Sequence, residues 1–316
     1  MWPTLSEVNG MPMNTYGLFI ALAFSASFLY VHLRAPKIGI EPDRLLPAYG
    51  FAVLGGLLGG RLLYAIAVDT QAFLSNPLSA LAPTGGGFAV YGGVLGGALA
   101  VGAYLASRGF PMWKMGDIAA PSVLIGMGVG RFGCFFAGCC HGAIAPIGAD
   151  PVSLTGELLK GHVWLSGVAP FLTTEFEGGV ARITDVPLYP TQIWSIVSCL
   201  SLAGLLAWLW PRRRFDGQIA ALALLLEPPF RTLIEAFRAD HRGYVFTWPV
   251  SERVVAWFPG MTQAGVDVEG AMMGLTTSQF IGLLTMVAGV GIYLARRHSG
   301  RGVETPLADD MLEQLA

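Results

Sequence analysis

Long apolar runs and short polar breaks alternate along this chain. A run of roughly 17–25 residues crosses a bilayer as a helix, and seven such runs occur, at about 16–33, 45–68, 88–106, 117–136, 189–210, 217–237 and 276–295. They predict an all-α integral membrane protein with seven transmembrane helices over residues 1–298 and a short tail over 299–316. Two wider intervals stand out. Residues 137–188, rich in Gly, Pro and Thr, predict a small head outside the membrane. Residues 239–275 predict an outer loop, in which "WPVSERVVAWFPG" offers Trp248, Trp257 and Phe258 to a membrane interface. No basic region precedes the first run, so no cleavable signal is expected.

Composition agrees with the pattern. The 316 residues are 53% apolar and 13% charged, against about 25% charged in soluble domains. A net charge of −2 lacks the basic excess that a nucleic-acid partner would need. Basic residues then orient the chain. One set of alternate intervals carries Arg34, Lys37, Arg44, Arg108, Lys114, Arg212, Arg213, Arg214, Arg296, Arg297 and Arg301. The other set carries only Lys160, Arg182, Arg238, Arg242 and Arg253. By the positive-inside rule the N-terminus is outside and the C-terminus, with the tail 299–316, is in the cytosol.

Three arginines remain, and all lie inside runs: Arg61, Arg131 and Arg231. In this topology the second, fourth and sixth spans run outward. At about 1.5 Å per residue the three side chains rise roughly 21–24 Å from the cytosolic side. They form one layer in the outer half of the membrane. An arginine at mid-bilayer costs about 2.5–3.5 kcal/mol to insert, which predicts a shared polar cavity rather than a lipid-facing position. Glu235, one turn after Arg231, and Glu227 supply some counter-charge, with Arg238 close behind. The layer stays short of negative charge, and phosphate suits it because guanidinium binds phosphate bidentately.

Other residues fall at the same level. Tyr16 opens the first run, Tyr91 the third, and Tyr189 and Gln192 the fifth. An interfacial aromatic belt is the expectation for Tyr189. Tyr91 precedes Gly92 and Gly93 in "GGVLGG" (92–97), where absent side chains let a ligand approach the backbone. That stretch echoes "GGLLGG" (55–60), and both are small-residue patterns that let helices pack closely.

These stretches also carry a resemblance. "TYG" (15–17), "GGRLLYA" (59–65), "GGGFAVYGGVLGG" (85–97), "GVGRFGCFFAGCCHG" (128–142), "YPTQIW" (189–194) and "FRTLIEAFR" (230–238) follow one another along the chain. In that order they resemble the phosphatidylglycerol–prolipoprotein diacylglyceryl transferases, across all seven runs. The resemblance implies a multi-pass protein of the bacterial cytoplasmic (inner) membrane. Its reaction would move the diacylglyceryl group of phosphatidylglycerol to the lipobox cysteine of a preprolipoprotein and release glycerol phosphate. The partners implied are therefore phosphatidylglycerol, the lipobox peptide and membrane lipids. Arg131 matches the family's signature arginine and Arg231 its essential sixth-span arginine. Tyr16, Arg61, Glu235 and Arg238 match featured positions. Gln192 lies in "YPTQ", similar to the family's His-Pro-Ser-Gln.

The chain also departs from the family. Tyr91-Gly92-Gly93 replaces His-Gly-Gly, Cys134 replaces an asparagine, Cys139 replaces a glutamate, and Glu227 replaces a tyrosine. This marks a divergent member. In the implied reaction Arg131 and Arg231 stabilise the departing phosphate. The acceptor thiol, with an ordinary pKa of about 8.5, is ionised by Tyr91, by His141, or by the arginine field alone. Cys199, mid-span, reads as a small buried hydrophobe.

Cys134, Cys139 and Cys140 lie at the outer edge, where a Cys134–Cys139 or Cys134–Cys140 disulfide, inert thiols and a redox role are the alternatives. Adjacent cysteines splay apart and "CCH" lacks the spacing of zinc ligands, so neither a metal nor another cofactor is expected. Should Cys139, Cys140 and His141 form a thiol site, a membrane thiol-redox or thiol-transfer enzyme is the rival reading. A non-catalytic binder of anionic lipid is another.

Overall fold

The computed structural model describes residues 4–8, 11–67, 70–76, 89–140, 142, 174–177, 180–183, 189–238, 244–250 and 271–299. A helix forms at each of the seven apolar runs: α1 (Thr15–Arg34), α2 (Leu46–Ala67), α3 (Val90–Ser107), α4 (Met112–Ala137), α5 (Thr191–Leu209), α6 (Gln218–Glu235) and α7 (Thr277–His298). Five segments, built on α1, α2, α4, α5 and α7, are long and apolar enough to cross a membrane. Helix α3 is shorter. Helix α6 falls short in hydropathy because Glu227, Arg231 and Glu235 interrupt it, together with Pro228 and Pro229. The architecture is that of a mostly helical membrane protein.

It is not wholly α. Three antiparallel two-stranded ribbons are present: β1 (Thr4–Val8) with β2 (Met11–Asn14), β3 (Thr174–Glu177) with β4 (Val180–Ile183), and β5 (Tyr244–Val250) with β6 (Ala271–Thr276). Within the interval expected to form the head, β3 and β4 are described. In the outer loop, β5 pairs Trp248 with Met273 and β6 runs directly into α7. Trp248 is 40% exposed, as an interfacial side chain would be. Trp257, Phe258 and the tail beyond Ser299 lie outside the described residues.

The chain divides into two compact units, and the division falls inside α1 and α4. The unit of residues 28–118 is centred on α2 against α3. The two glycine patterns meet face to face there. A methyl group on Gly59 or Gly92 would collide with the other helix's backbone oxygen, and one on Gly55 would sit 2.7 Å from the Gly96 oxygen. Gly92 therefore faces Gly59, and the backbone of α2 occupies the space a ligand would need. Around this pair, Tyr104 stacks on Phe51 at 5.1 Å and donates a hydrogen bond to the Arg44 carbonyl at 3.1 Å. Leu57, Leu58, Val94, Leu95 and Leu99 point outward and are more than half exposed, the expected face toward lipid.

The unit of residues 1–27 and 119–304 contains the first half of α1, most of α4, and α5, α6 and α7. Phe19 of α1 stacks on Phe132 and Phe136 of α4 at 6.0 and 5.2 Å. Ser27 donates to the Ser122 carbonyl at 2.8 Å. Helices α6 and α7 pack over two glycines two turns apart. Gly282 accommodates Pro228, and Gly289 accommodates Ala221 and Leu224. A capping box starts α7: the Thr276 hydroxyl accepts from the Gln279 amide at 3.2 Å, and the Gln279 side chain accepts from the Thr276 amide at 3.0 Å.

Gly59→Val should therefore cost about 1–3 kcal/mol of stability by overpacking, read as a lower melting temperature in detergent micelles. Gly102→Ala, with open space around it, should hold or raise that temperature.

Candidate active site

Helix α4 carries Arg131 into the interior of the unit of residues 1–27 and 119–304, and α6 carries Glu227, Arg231 and Glu235 toward the same place. Together with Arg238 they line one small, partly open cavity of about 30 Å³, walled also by Met127, Ser195, Ser198, Cys199, Leu202, Phe230 and Ile234. Three guanidinium and two carboxyl groups thus share a wall with apolar side chains. Of the three arginines expected to share a polar cavity, Arg131 and Arg231 line this one. Arg61, in α2, belongs to the other unit and is half-buried there.

Glu235 has an arginine on either side, Arg231 one turn before it and Arg238 three residues after it. It meets Arg238, with Oε2 to Nε at 3.9 Å, and both side chains are buried. Local geometry explains this. Helix α6 ends at Glu235, and the amides of Phe237 and Arg238 donate back to Ile234 and Glu235 over three residues rather than four. That tightened turn swings Arg238 beneath Glu235. Arg231 donates from Nε to the Ser278 hydroxyl at 2.7 Å, inside the first turn of α7. Among the described residues neither Arg131 nor Arg231 has a carboxylate within the 4.0 Å of an ion pair. Ser278 was missed by sequence reasoning, although "TTSQ" (276–279) fits a capping box and so places a helix start beside Arg231.

A second, apolar groove adjoins the cavity. It is open, offers about 650 Å³ and is lined chiefly by Ile193, Trp194, Val197, Leu205 and Leu226, sharing Ser198, Leu202 and Phe230 with the arginine cavity. Cys199 is buried, as expected, and lies on the cavity wall.

The thiols end α4. Gly138 adopts a left-handed φ of 72°, and the amide of Cys139 donates back to the Cys134 carbonyl at 3.1 Å. This is the Schellman arrangement, which brings exactly the residues at those two positions side by side. Cys140 is also left-handed, with φ of 60°, and turns the chain a second time. The three sulfurs lie within 4.8 Å of one another. All four cysteines are free. The structure thus corrects one expectation, since the adjacent cysteines do not splay apart, and of the alternatives for this edge it shows free thiols and no Cys134–Cys139 or Cys134–Cys140 disulfide. Two glycine-like turns in succession fold them onto Cys134.

Neighbouring elements pin this turn. The Thr191 hydroxyl donates to the Cys140 carbonyl at 3.0 Å, and Gln192 Nε2 donates to the Cys139 carbonyl at 3.0 Å. Gln192, expected near the lipid headgroup, is 1% exposed and holds this backbone. Gly142 bridges to Arg238 and donates to the Tyr189 carbonyl at 3.1 Å. Hydrogen bonds from Cys134 and Cys139, followed by the Arg238 guanidinium, pull the Cys140 thiol well below its usual range. Cys139 is pushed up by the thiols beside it.

Tyr189 does not join an interfacial belt. It is 3% exposed, with Trp194 and Phe237 rings at 5.9 and 5.1 Å. Tyr16 is 42% exposed on α1 and packs beside Gly133. Tyr91 lies in the first turn of α3, and its side chain and His141 fall outside the described residues. Gly93 is half-buried opposite Gly56.

The family model for prolipoprotein diacylglyceryl transferase matches residues 3–295. The chain belongs to that family. A phosphatidylglycerol–prolipoprotein diacylglyceryl transferase of Clostridium tetani is 31% identical over 295 residues, covering 93% of this chain and 97% of the relative. A second such enzyme of Clostridium perfringens is 27% identical over 94% of this chain and 96% of its own. One from Synechococcus elongatus is 33% identical over 75% of this chain and 77% of its own. The arginine cavity belongs to a chain that matches transferases of this family along nearly its whole length.

Gly138→Ala should cost about 1–2 kcal/mol, because an L-residue resists the left-handed conformation. It should lower the melting temperature and slow capture of the thiols by phenylarsine oxide, which needs two sulfurs close together. An unchanged capture rate would show that the Gly138 turn does not assemble the cluster.

Proposed function

We propose that this protein transfers the diacylglyceryl group of phosphatidylglycerol to the lipobox cysteine of preprolipoproteins, in the bacterial cytoplasmic membrane, releasing glycerol phosphate. All seven helices cross the bilayer in this reading, with the N-terminus outside. The observation that carries it is the cavity shared by Arg131 and Arg231, neither of which has a carboxylate within 4.0 Å among the described residues, while an apolar groove shares their wall. An anionic lipid has the matching form, a phosphate for the guanidinium groups and acyl chains for the groove.

The chemistry follows from charge. As the acceptor sulfur attacks the glycerol carbon, negative charge develops on the departing phosphate oxygen. Donors already aimed at that point stabilise it in a water-poor site without reorganising. Arg131 and Arg231 serve as those donors, and Ser278 holds Arg231 in position. Glu235 and Arg238 fix the end of α6 against the thiol turn. Tyr16, on α1 beside Gly133, completes the lipid site.

Arg131→Ala and Arg231→Ala should each reduce transfer by about 10²–10³-fold or more while the protein still inserts. Ser278→Ala should have a smaller effect. The assay follows lipid gain by a lipobox peptide and release of glycerol phosphate from vesicles containing phosphatidylglycerol. Full activity in either arginine variant would refute the clamp. Lipid binding without release of glycerol phosphate would leave a binder and not an enzyme.

A further inference from the structure

Three cysteine side chains at the end of α4 converge without forming a disulfide, on a turn held by hydrogen bonds from Thr191 and Gln192. We propose that Cys134, Cys139 and Cys140 bind one zinc ion whose fourth position receives the thiol of the acceptor peptide. The activating role rests on the transferase reading above; the metal site does not.

Geometry supports the site. Zinc–sulfur bonds of about 2.3 Å in a tetrahedron set the sulfurs about 3.8 Å apart. Sulfurs already within 4.8 Å need to close by only about an ångström. Cys134 is anchored in the last turn of α4, while the carbonyls of Cys139 and Cys140 are tied to the start of α5. The ligands are thus pre-placed by backbone, not left to loose side chains. Cys134 is buried, whereas Cys139 and Cys140 are partly exposed, so the cluster has one open side. Three protein ligands with a free fourth position is the arrangement of a zinc site that acts on a substrate.

The site also lies where the acceptor must arrive. Arg238 lines the arginine cavity and hydrogen-bonds Cys140, and Arg131 sits one helical turn before Cys134. Zinc holds a coordinated thiol as thiolate, and metal coordination is one way to activate a nucleophile. The step balances. The acceptor S–H loses its proton on taking the fourth position. Its sulfur forms a bond to the glycerol carbon as the carbon–oxygen bond to phosphate breaks. The phosphate oxygen keeps that electron pair and takes up the proton as glycerol phosphate. Zinc stays divalent, and no oxidant or reductant is needed.

The test uses the full chain in detergent micelles, loaded with Zn²⁺ and then desalted. Expected are one zinc per chain and a loss of affinity in each of Cys134→Ser, Cys139→Ser and Cys140→Ser, exceeding the roughly tenfold that even outer partners of a metal site cost. Cys199→Ser should retain the metal. Because a variant can misfold, the decisive measurement is on the unsubstituted chain. Co²⁺ in place of zinc should give sulfur-to-cobalt charge-transfer absorption that shifts on adding a lipobox peptide, and not on adding its Cys→Ser counterpart. Absence of bound metal, an intact disulfide among the three cysteines, or a cobalt spectrum indifferent to the peptide thiol would each overturn the proposal. Zinc and a peptide-sensitive spectrum without lipid transfer would support the site and overturn the transferase reading. Full transfer by metal-free protein would overturn the activating role of the metal and leave the transferase reading intact.

Discussion

A guanidinium group costs about 2.5–3.5 kcal/mol to place at the middle of a membrane helix, and this protein brings two such groups, Arg131 and Arg231, to one cavity together with Arg238 from beyond the end of α6. Much of the surrounding structure responds to that constraint. Arg238 has Glu235, and Arg231 has the hydroxyl of Ser278. Arg131 shares its cavity with Glu227 but makes no close ion pair among the described residues. Replacing these partners by apolar groups would strand buried charge, which is among the costliest changes a folded protein can suffer. The cavity is thus fixed by electrostatics, and its walls are fixed by packing.

Helix α6 shows how the two requirements share one element. Its apolar residues up to Leu226 are continuous, and then Glu227, Pro228, Pro229, Arg231 and Glu235 follow within three turns. The prolines remove two amide donors and so weaken the helix where it becomes polar. Gly282 of α7 receives Pro228, and the capping box of α7 sets Ser278 opposite Arg231. A strongly amphipathic, proline-bearing helix is tolerated because its neighbour is shaped to it.

Much of this was legible in the sequence. Apolar runs located seven helices because length and hydropathy are local properties, and the two glycine patterns marked close helix packing without saying that α2 and α3 are each other's partners. Arg131 and Arg231 were readable from the cost of burying charge. What escaped depended on the ends of helices. The partner of Glu235 followed from a tightened last turn and not from ideal helical spacing. The burial of Tyr189 followed from its packing with Trp194 and Phe237. The thiol cluster followed from two left-handed residues in succession. Gly138 was a visible sign of the first, but nothing in the residue type of Cys140 announces the second. The ribbons β1–β2 and β5–β6 are short pairings whose apolar residues merge with the adjoining runs, so hydropathy alone does not separate them.

The charge balance joins the two unusual features of the chain. With both carboxyl groups ionised, the three arginines of the cavity leave one positive charge uncompensated. A zinc ion held by three thiolates carries one negative charge, and Arg238 lies against both the cavity and Cys140. The cluster would therefore neutralise the cavity at rest without a further carboxylate. This bears on two positions beside the end of α4, since the resemblance implies asparagine and glutamate where this chain has Cys134 and Cys139. A lone thiol in either place would remove polarity and return nothing. Two thiols in the C″ and C3 positions of one helix cap, joined by a third on the next residue, restore an anionic group as soon as a divalent ion bridges them. When the acceptor thiolate binds and the lipid phosphate enters, the extra negative charge falls beside the arginines, where it is least costly.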